Sequence, residues 1–268
     1  MLLSSATPLI VTRPEPAAGE WVRELRAHGI AAQALPLIET APAPDGVALQ
    51  QAQQDAARGA WDAVMFVSGQ AVQHFLAPGV AAAPETAAWV TGEGTAAALQ
   101  RAGWPAARIV QPVPDAPQRD SEALWAQVES DVQAGRVRRV LIVRGGDAVG
   151  RVQGRDWLAA RLRERGVQVQ EVVAYVRRAP HWGETQRAEA ARLTDGGALW
   201  LFASSQALAH LQQLLPQQDW SRAAALATHP RIAEAARAAG FGQVHLAPSP
   251  SLEAVLALLH NGQVSPDS

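Results

Sequence analysis

The stretch GVQVQEVVAYVRRAP, residues 166–180, decides how this chain is organised. Its valines and its tyrosine are residue types that favour extended backbone, and the stretch ends at a proline. An earlier stretch, AQALPLIETAP at residues 32–42, has the same character and also leads through proline into polar sequence. We interpret residues 36–42 and 171–180 as two connector strands that cross between two similar lobes.

The sequence around these connector strands is duplicated. WDAVMFVSGQAVQHFL, residues 61–76, consists of a buried strand, a serine turn and a helix, and GALWLFASSQALAHLQQLL, residues 197–215, has the same layout. AAWVTGEGTAAALQRAG, residues 87–103, likewise matches AAALATHPRIAEAARAAG, residues 223–240. Each of these four stretches changes from an apolar run to helical spacing at a small or hydroxyl-bearing residue.

The spacing of the duplicated stretches is constant. Ser68 and Ser204 lie 136 positions apart, and so do Gly92 and Thr228. A constant offset across two separate motifs indicates an internal duplication.

Each copy of the duplication contains a strand, a helix, a strand, a connector strand and then three strand–helix units. Strands that alternate with helices indicate parallel sheets covered on both faces, with about five strands per lobe. Because a connector strand interrupts each copy, we expect exchanged segments: residues 1–35 and 181–268 form lobe 1, and residues 43–170 form lobe 2. The predicted fold class is α/β, with two doubly wound parallel-sheet lobes and a two-stranded connector.

Composition excludes several kinds of chemistry. The 268 residues include no cysteine, which excludes thiolate nucleophiles and iron–sulfur ligation, and all 23 basic residues are arginine, which excludes Schiff-base and Walker A lysines. A net charge of −2 argues against a nucleic-acid partner. No apolar run is long enough to span a bilayer, and the N-terminus has no basic signal region, so we predict a cytoplasmic protein with no membrane partner.

Candidate binding residues follow the predicted strands, where ligands bind in doubly wound sheets. They are small hydroxyl-bearing residues, glycines and arginines: Thr12, Arg13, Ser68, Gly92, Thr95, Arg144, Gly145, Ser204 and Thr228. In one interpretation Ser68, Ser204 and Thr228 are only helix N-caps. In the other, the hydroxyls and nearby backbone N–H groups form an anion-binding surface. The seven histidines show no ligand spacing, so no metal site is predicted.

The order of the motifs resembles the uroporphyrinogen-III synthase family. The resemblance covers residues 8–259 and rests on LIVTRP at 9–14, PLIE at 36–39, FVSGQAV at 66–72, VTGEGTAAAL at 90–99, LIVRGG at 141–146, GRDWLAARLRERGVQV at 154–169, AYVRR at 174–178 and LFASSQALAHL at 201–211.

This resemblance implies a function. The family's enzymes are lyases of haem biosynthesis that close hydroxymethylbilane, a linear tetrapyrrole rich in carboxylates, to uroporphyrinogen III. The reaction loses water, inverts ring D and uses no metal or organic cofactor. The resemblance implies that Tyr175 is the proton donor and adds Arg155 to the substrate-binding residues. We expect a monomer that can transiently contact the preceding pathway enzyme.

Two departures from the family pattern lie beside these residues. The loop at residues 147–153 is longer than expected, which leaves either Arg151 or Arg155 as the family's basic residue. His229 and Pro230 follow Thr228, where a second small or hydroxyl-bearing residue is common.

Two other functions remain open from the sequence alone. A cytoplasmic two-lobed binding protein or sensor could close on a small polyanion without reacting it. A transferase with two Rossmann-like lobes would need a clear carboxylate and histidine at the site, and the sequence does not identify such a pair. Separately from these functions, an interpretation in which Tyr175 only packs against the connector also remains open.

Overall fold

The computed structural model of the protein describes residues 7–76, 83, 85–113, 120–152 and 156–260. Strands and helices alternate along these ranges. The elements up to residue 110 are β1 (Leu9–Val11), α1 (Ala17–Ala27), β2 (Ala32–Ala34), β3 (Glu39–Pro42), α2 (Gly46–Ala57), β4 (Ala63–Phe66), α3 (Gly69–Phe75), β5 (Ala87–Val90), α4 (Glu93–Arg101), a 3-10 turn (Ala106–Arg108) and β6 (Ile109–Val110).

The later elements are α5 (Ser121–Gln133), β7 (Arg139–Gly146), α6 (Trp157–Glu164), β8 (Gln168–Arg178), α7 (Glu184–Thr194), β9 (Leu199–Phe202), α8 (Ser205–Leu214), β10 (Ala224–Ala227), α9 (Pro230–Ala238), β11 (Gln243–Leu246) and α10 (Leu252–His260). None of the helices in the described ranges combines the length and apolarity that crossing a bilayer requires.

The chain divides into two compact units. Unit 1 consists of Met1–Glu39 together with Arg178–Ser268, and unit 2 consists of Thr40–Arg177. Each unit has its own sheet with an apolar cluster on either face. Unit 1 therefore contains both the early and the late part of the chain.

The sheet of unit 1 has five parallel strands in the order β11-β10-β9-β1-β2. β1 lies between β2 and β9, with Leu9 opposite Leu199. Since β1 is the first strand of the described chain and β9 follows the second connector strand, this pairing is the predicted exchange of segments. Buried Leu9 and Val11 pack on one face, and buried Ile10 packs on the other.

The sheet of unit 2 has the order β3-β8-β7-β4-β5-β6. Without β3 and read from its other end, this order is β6-β5-β4-β7-β8, which matches β11-β10-β9-β1-β2 strand for strand when each element is replaced by its copy in the duplication. The predicted fold class, two similar α/β lobes with exchanged segments, is confirmed.

The sixth strand of unit 2 comes from the predicted connector. β3 lies at the sheet edge next to β8 and makes this sheet mixed. β8 is an uninterrupted strand of 11 residues that contains both the last predicted strand of lobe 2 and the connector strand after it. The sheet therefore has six strands rather than about five, because the hydrogen-bonding groups of the connector pair within it.

A β-bulge interrupts the pairing of β7 with β8. Arg144 lies opposite Val173, but the next residue, Gly145, lies opposite Tyr175, so Ala174 is passed over. Strict alternation would place Ala174 and Tyr175 on opposite faces of the sheet. The bulge instead places both side chains in one apolar cluster, which re-aims Tyr175.

Candidate active site

The hydroxyl of Tyr175 is held from two sides. Tyr175 is 1% exposed, and its Oη lies 3.1 Å from Ser68 Oγ. Arg177 Nη2 donates a hydrogen bond to the same oxygen over 3.1 Å. The imidazole of His74 stacks on the phenol ring, with 5.5 Å between the ring centroids and 21° between the planes. The single tyrosine of the chain is therefore fixed in position and in orientation.

Gly145 provides the space for the phenol ring. A Cβ atom at this position would lie 2.6 Å from Tyr175 Cζ and 2.8 Å from its Oη. Any other residue would displace the ring, because real Cβ atoms essentially never approach a heavy atom within 3.0 Å. Gly145 thus has a packing role in addition to the substrate-binding role that the sequence predicts for it.

Three further predicted residues of unit 2, Ser68, Gly92 and Thr95, lie at helix starts. Ser68 is the N-cap of α3, and its Oγ accepts the backbone N–H of Ala71 over 3.1 Å. Gly92 is the N-cap of α4, and Thr95 lies in the first turn of that helix with 9% exposure. β7, β4 and β5 are adjacent parallel strands, so these residues and Gly145 lie side by side at the carboxyl ends of the strands.

The guanidinium of Arg144 already binds a carboxylate of the protein. Its Nη1 lies 2.6 Å from Glu171 Oε2, and the two side chains are 6% and 17% exposed. Arg163 of α6 binds the second carboxylate oxygen of Glu171 at 2.9 Å. Burial alone raises the pKa of Glu171, but the hydrogen bonds and charges of the two arginines lower it overall. The substrate-binding role of Arg144 stays a prediction, and it requires Arg144 to bind an anion beside or instead of Glu171.

The described part of the long loop after β7, residues 147–152, forms a turn closed by backbone hydrogen bonds between Asp147 and Arg151 and between Gly150 and Asp147. Asp147 Oδ1 accepts the backbone N–H groups of Val149 and Arg151. Gly150 has a φ of 83°, and a Cβ atom at this position would lie 3.2 Å from the ring of Pro44. Arg151 is exposed. Arg155, the other predicted basic residue, lies outside the residues that the structure describes.

In unit 1, Thr12 and Arg13 follow β1 as predicted. Thr12 is 1% exposed, and its hydroxyl donates to the carbonyl oxygen of Leu201 over 2.6 Å. The guanidinium of Arg13 lies 4.0 Å from the ring centroid of Trp21 and donates to the carbonyl oxygen of Pro250. Burial lowers the pKa of Arg13 from its ordinary value.

Ser204 and Thr228 differ in their roles at the helix starts. Ser204 is the N-cap of α8, and its hydroxyl accepts the N–H of Gln206. Thr228 is buried and is not an N-cap, so that part of the N-cap interpretation is wrong. His229 takes the position, and its Nδ1 accepts the N–H of Arg231 over 3.2 Å. The reason is Pro230, which occupies the first helical position and makes the preceding residue the cap.

Two residues beside Tyr175 were not predicted from the sequence. Arg177 lies two positions further along the same strand, so the alternation of side chains on strands could have placed it beside Tyr175. His74 lies in the last turn of α3, and no sequence pattern connects it to β8. Burial lowers the pKa of His74, which keeps the stacked imidazole neutral at pH 7.

The strand ends therefore carry hydroxyls, backbone amides and arginines, and the buried phenol of Tyr175 lies beside Ser68 at one of them. Within the described ranges, no group of three or more histidine, aspartate or glutamate side chains is placed to hold a metal ion. Two doubly wound units with exchanged segments and these polar strand ends place the chain in the class of two-lobed α/β proteins with a candidate anion-binding site.

The chain belongs to the uroporphyrinogen-III synthase HemD family, whose sequence profile matches residues 19–257. It is thus an enzyme of tetrapyrrole synthesis in the haem pathway. The resemblance that the motifs indicated is confirmed.

Two solved structures share the fold. Uroporphyrinogen-III synthetase from Helicobacter pylori is 16% identical, with 95% of this chain and 99% of that chain covered and a TM-score of 0.59. A mutant uroporphyrinogen III synthase from the extremely thermophilic bacterium Thermus thermophilus is also 16% identical, with 96% and 98% covered and a TM-score of 0.53. At 16% sequence identity, these two structural matches support the fold of the chain and nothing more specific.

Proposed function

We propose that this chain converts hydroxymethylbilane to uroporphyrinogen III and that Tyr175 supplies the proton for the leaving hydroxyl group. The observation that carries this assignment is the bulge opposite Gly145, which directs the only tyrosine towards Ser68 at the start of α3. A local irregularity that re-aims one polar side chain is a frequent feature of active sites.

The chemistry requires little from the protein. A pyrrole nitrogen of the bilane can push the hydroxide out and leave an electron-deficient azafulvenium cation, so an acid near the leaving oxygen lowers only part of the barrier. A phenol is suited to this role because it is a hydrogen-bond donor that is uncharged at neutral pH. Ring D then closes in the inverted orientation, and loss of a proton restores the aromatic pyrrole.

We assign the binding of the substrate carboxylates to hydroxyls, backbone N–H groups and arginines at the strand ends. Anions bind favourably where helix N-termini leave N–H groups unsatisfied, and arginine can bind a carboxylate through two parallel hydrogen bonds. The proposed substrate-binding residues are Thr12, Arg13, Ser68, Gly92, Thr95, Arg144, Gly145, Arg155, Ser204 and Thr228.

The remaining parts of the proposal concern organisation. We propose that residues 36–42 and 171–180 serve as the connector of the two lobes, 1–35 with 181–268 and 43–170. We also propose that the protein acts in the cytoplasm as a monomer and contacts the preceding pathway enzyme only transiently.

The experiment that tests the activity starts from enzymatically made hydroxymethylbilane. The protein is incubated with it, the products are oxidised, and the uroporphyrin isomers are separated. We expect isomer III as the main product. A product that consists only of isomer I, which forms spontaneously, would refute the proposed activity. Binding without turnover would instead favour the polyanion sensor.

A further inference from the structure

We propose that Ser68 passes the proton of Tyr175 to the leaving hydroxyl group and that Arg177 is the residue that fixes the direction of this transfer. The inference rests on the proposed function and adds two roles to it. Ser68 becomes a catalytic residue rather than only an N-cap or carboxylate ligand, and Arg177 becomes a positioning residue that acts through Tyr175.

The first argument is an account of donors and acceptors. A guanidinium has no acceptor, so Arg177 must donate to Tyr175 Oη. One lone pair of a phenol oxygen is delocalised into the ring, and the Arg177 hydrogen bond uses the other. The phenol proton therefore points to Ser68 Oγ, 3.1 Å away.

The same account leaves one proton on Ser68 free. Ser68 Oγ accepts from the backbone N–H of Ala71 and, by the argument above, from Tyr175. Both of its acceptor positions are then occupied, and its own hydroxyl hydrogen has no partner within this group of contacts. That hydrogen is the one available to a leaving hydroxyl.

The second argument is burial. Tyr175 is 1% exposed, so its hydroxyl is screened from molecules outside the protein. Ser68 is half-buried, and it lies between the phenol oxygen and the start of α3. Contact with the substrate is therefore assigned to the partly exposed Ser68 and not to the buried phenol.

The transfer balances in atoms and charge. The Ser68 proton moves to the hydroxymethyl oxygen, the carbon–oxygen bond breaks, and water leaves, while the pyrrole nitrogen supplies the electron pair. Ser68 takes the phenol proton, and the phenolate is stabilised by the hydrogen bond from Arg177. The positive charge of the azafulvenium intermediate matches the negative phenolate, and the proton lost when the pyrrole becomes aromatic again restores Tyr175.

The test of Ser68 compares Ser68→Ala with Ser68→Thr, which keeps a hydroxyl at the N-cap. Ser130→Ala, a change of an exposed serine on α5, is the matched control. We expect Ser68→Ala to lower kcat about ten-fold or more with little change of KM. This minimum is below the usual range of about 10²- to 10⁴-fold for general acid catalysis, because the pyrrole nitrogen itself helps to expel the leaving group. Ser68→Thr is expected to recover most of the rate. Assays run well below the melting temperature of each variant, because the N-cap also stabilises α3.

The test of Arg177 compares Arg177→Met with Arg177→Lys, and Arg187→Met on the exposed face of α7 is the control. Because the chain has one tyrosine, protein labelled with 3-fluorotyrosine gives a single ¹⁹F resonance. We expect this resonance to shift in Arg177→Met and in Ser68→Ala but not in the controls. The lysine variant, which keeps a donor, is expected to retain more activity than the methionine variant.

The outcomes separate the relay from the proposed function. A wild-type protein that forms no isomer III would overturn the proposed function and the relay with it. Wild-type activity together with an unchanged kcat in Ser68→Ala, or with a higher KM as the only effect, would overturn the relay alone. An unshifted ¹⁹F resonance in Arg177→Met would overturn the positioning role of Arg177.

Discussion

Replacement of Gly145 by alanine tests the packing of the phenol ring directly. The added Cβ would lie 2.6 Å from Tyr175 Cζ, whereas ordinary contacts begin near 3.4 Å. The ring must therefore move by roughly 0.8 Å unless the strand itself shifts. Tyr175 Oη has hydrogen bonds of 3.1 Å to two partners, and a displacement of about 0.8 Å away from either partner along the bond would lengthen that bond to roughly 3.9 Å, beyond hydrogen-bond distance.

Both stability and turnover are expected to fall in Gly145→Ala. Overpacking of this kind costs about 1–3 kcal/mol of unfolding free energy, and each kcal/mol lowers the melting temperature by about 2–4 °C in a chain of this size. Loss of the hydroxyl geometry lowers kcat by roughly ten-fold, as loss of the acid would. Differential scanning calorimetry and the isomer assay measure the two effects.

Two comparisons make the Gly145 prediction specific. Gly46→Ala, in which the added Cβ meets nothing within 4 Å, should leave both quantities near their wild-type values. In a Tyr175→Val background the ring is gone, so Gly145→Ala should cost much less stability there than in the wild type. An equal cost in both backgrounds, or full activity in the single variant, would refute the reasoning.

Three further predictions concern the acid, the buried ion pair and the cofactor. Tyr175→Phe keeps the ring but removes the proton, so we expect a near-wild-type melting temperature and a kcat lower by about ten-fold or more, measured by steady-state kinetics. Glu171→Gln should lower the free energy of unfolding by about 2 kcal/mol at pH 7. This value lies between the effects of breaking an exposed ion pair and a buried ion pair. The pKa of Glu171 is lower in the folded state than in the unfolded state, where it is about 4.3. Its ionised carboxylate therefore stabilises the fold above pH ~4.3, and this stabilisation disappears as the pH falls through the folded-state pKa. The free energies of unfolding of the variant and the wild type should thus converge in acid. The control is Glu164→Gln, a change of an exposed glutamate, which should alter the free energy of unfolding by less than about 0.5 kcal/mol. Finally, EDTA should leave isomer III formation intact, and loss of activity that a metal restores would contradict the cofactor-free reaction.

The sequence predicts the arrangement of strands because the duplication repeats it. Ser68 and Ser204 mark the same strand-to-helix turn in both copies, and both are N-caps in the structure. Hydrophobic runs and helix-start residues are local signals, so their order along the chain is sufficient to assign elements. The exchange of segments follows because each connector strand interrupts a copy at an equivalent place.

Features that depend on contacts between distant residues are not visible in the same way. Period-two alternation places Tyr175 on the face of Glu171, and only the pairing of β8 with β7 reveals the bulge that turns it away. The partner of Arg144 is 27 positions away, and no motif connects the two residues. The cap at the start of α9 was predicted one residue too early, because Pro230 determines where that helix begins.

The position of β1 between β2 and β9 also affects how the chain can fold during its synthesis. One edge of β1 has no native partner until Leu199 has been made, 190 residues after Leu9. At about 5–20 residues per second, this delay is roughly ten to forty seconds. During that time all of unit 2, from Thr40 to Arg177, is synthesised and its earlier elements can begin to fold, whereas the N-terminal strands carry an unpaired edge. Because an unpaired strand edge is a site of aggregation, we expect the early segment of unit 1 to be vulnerable to aggregation during synthesis.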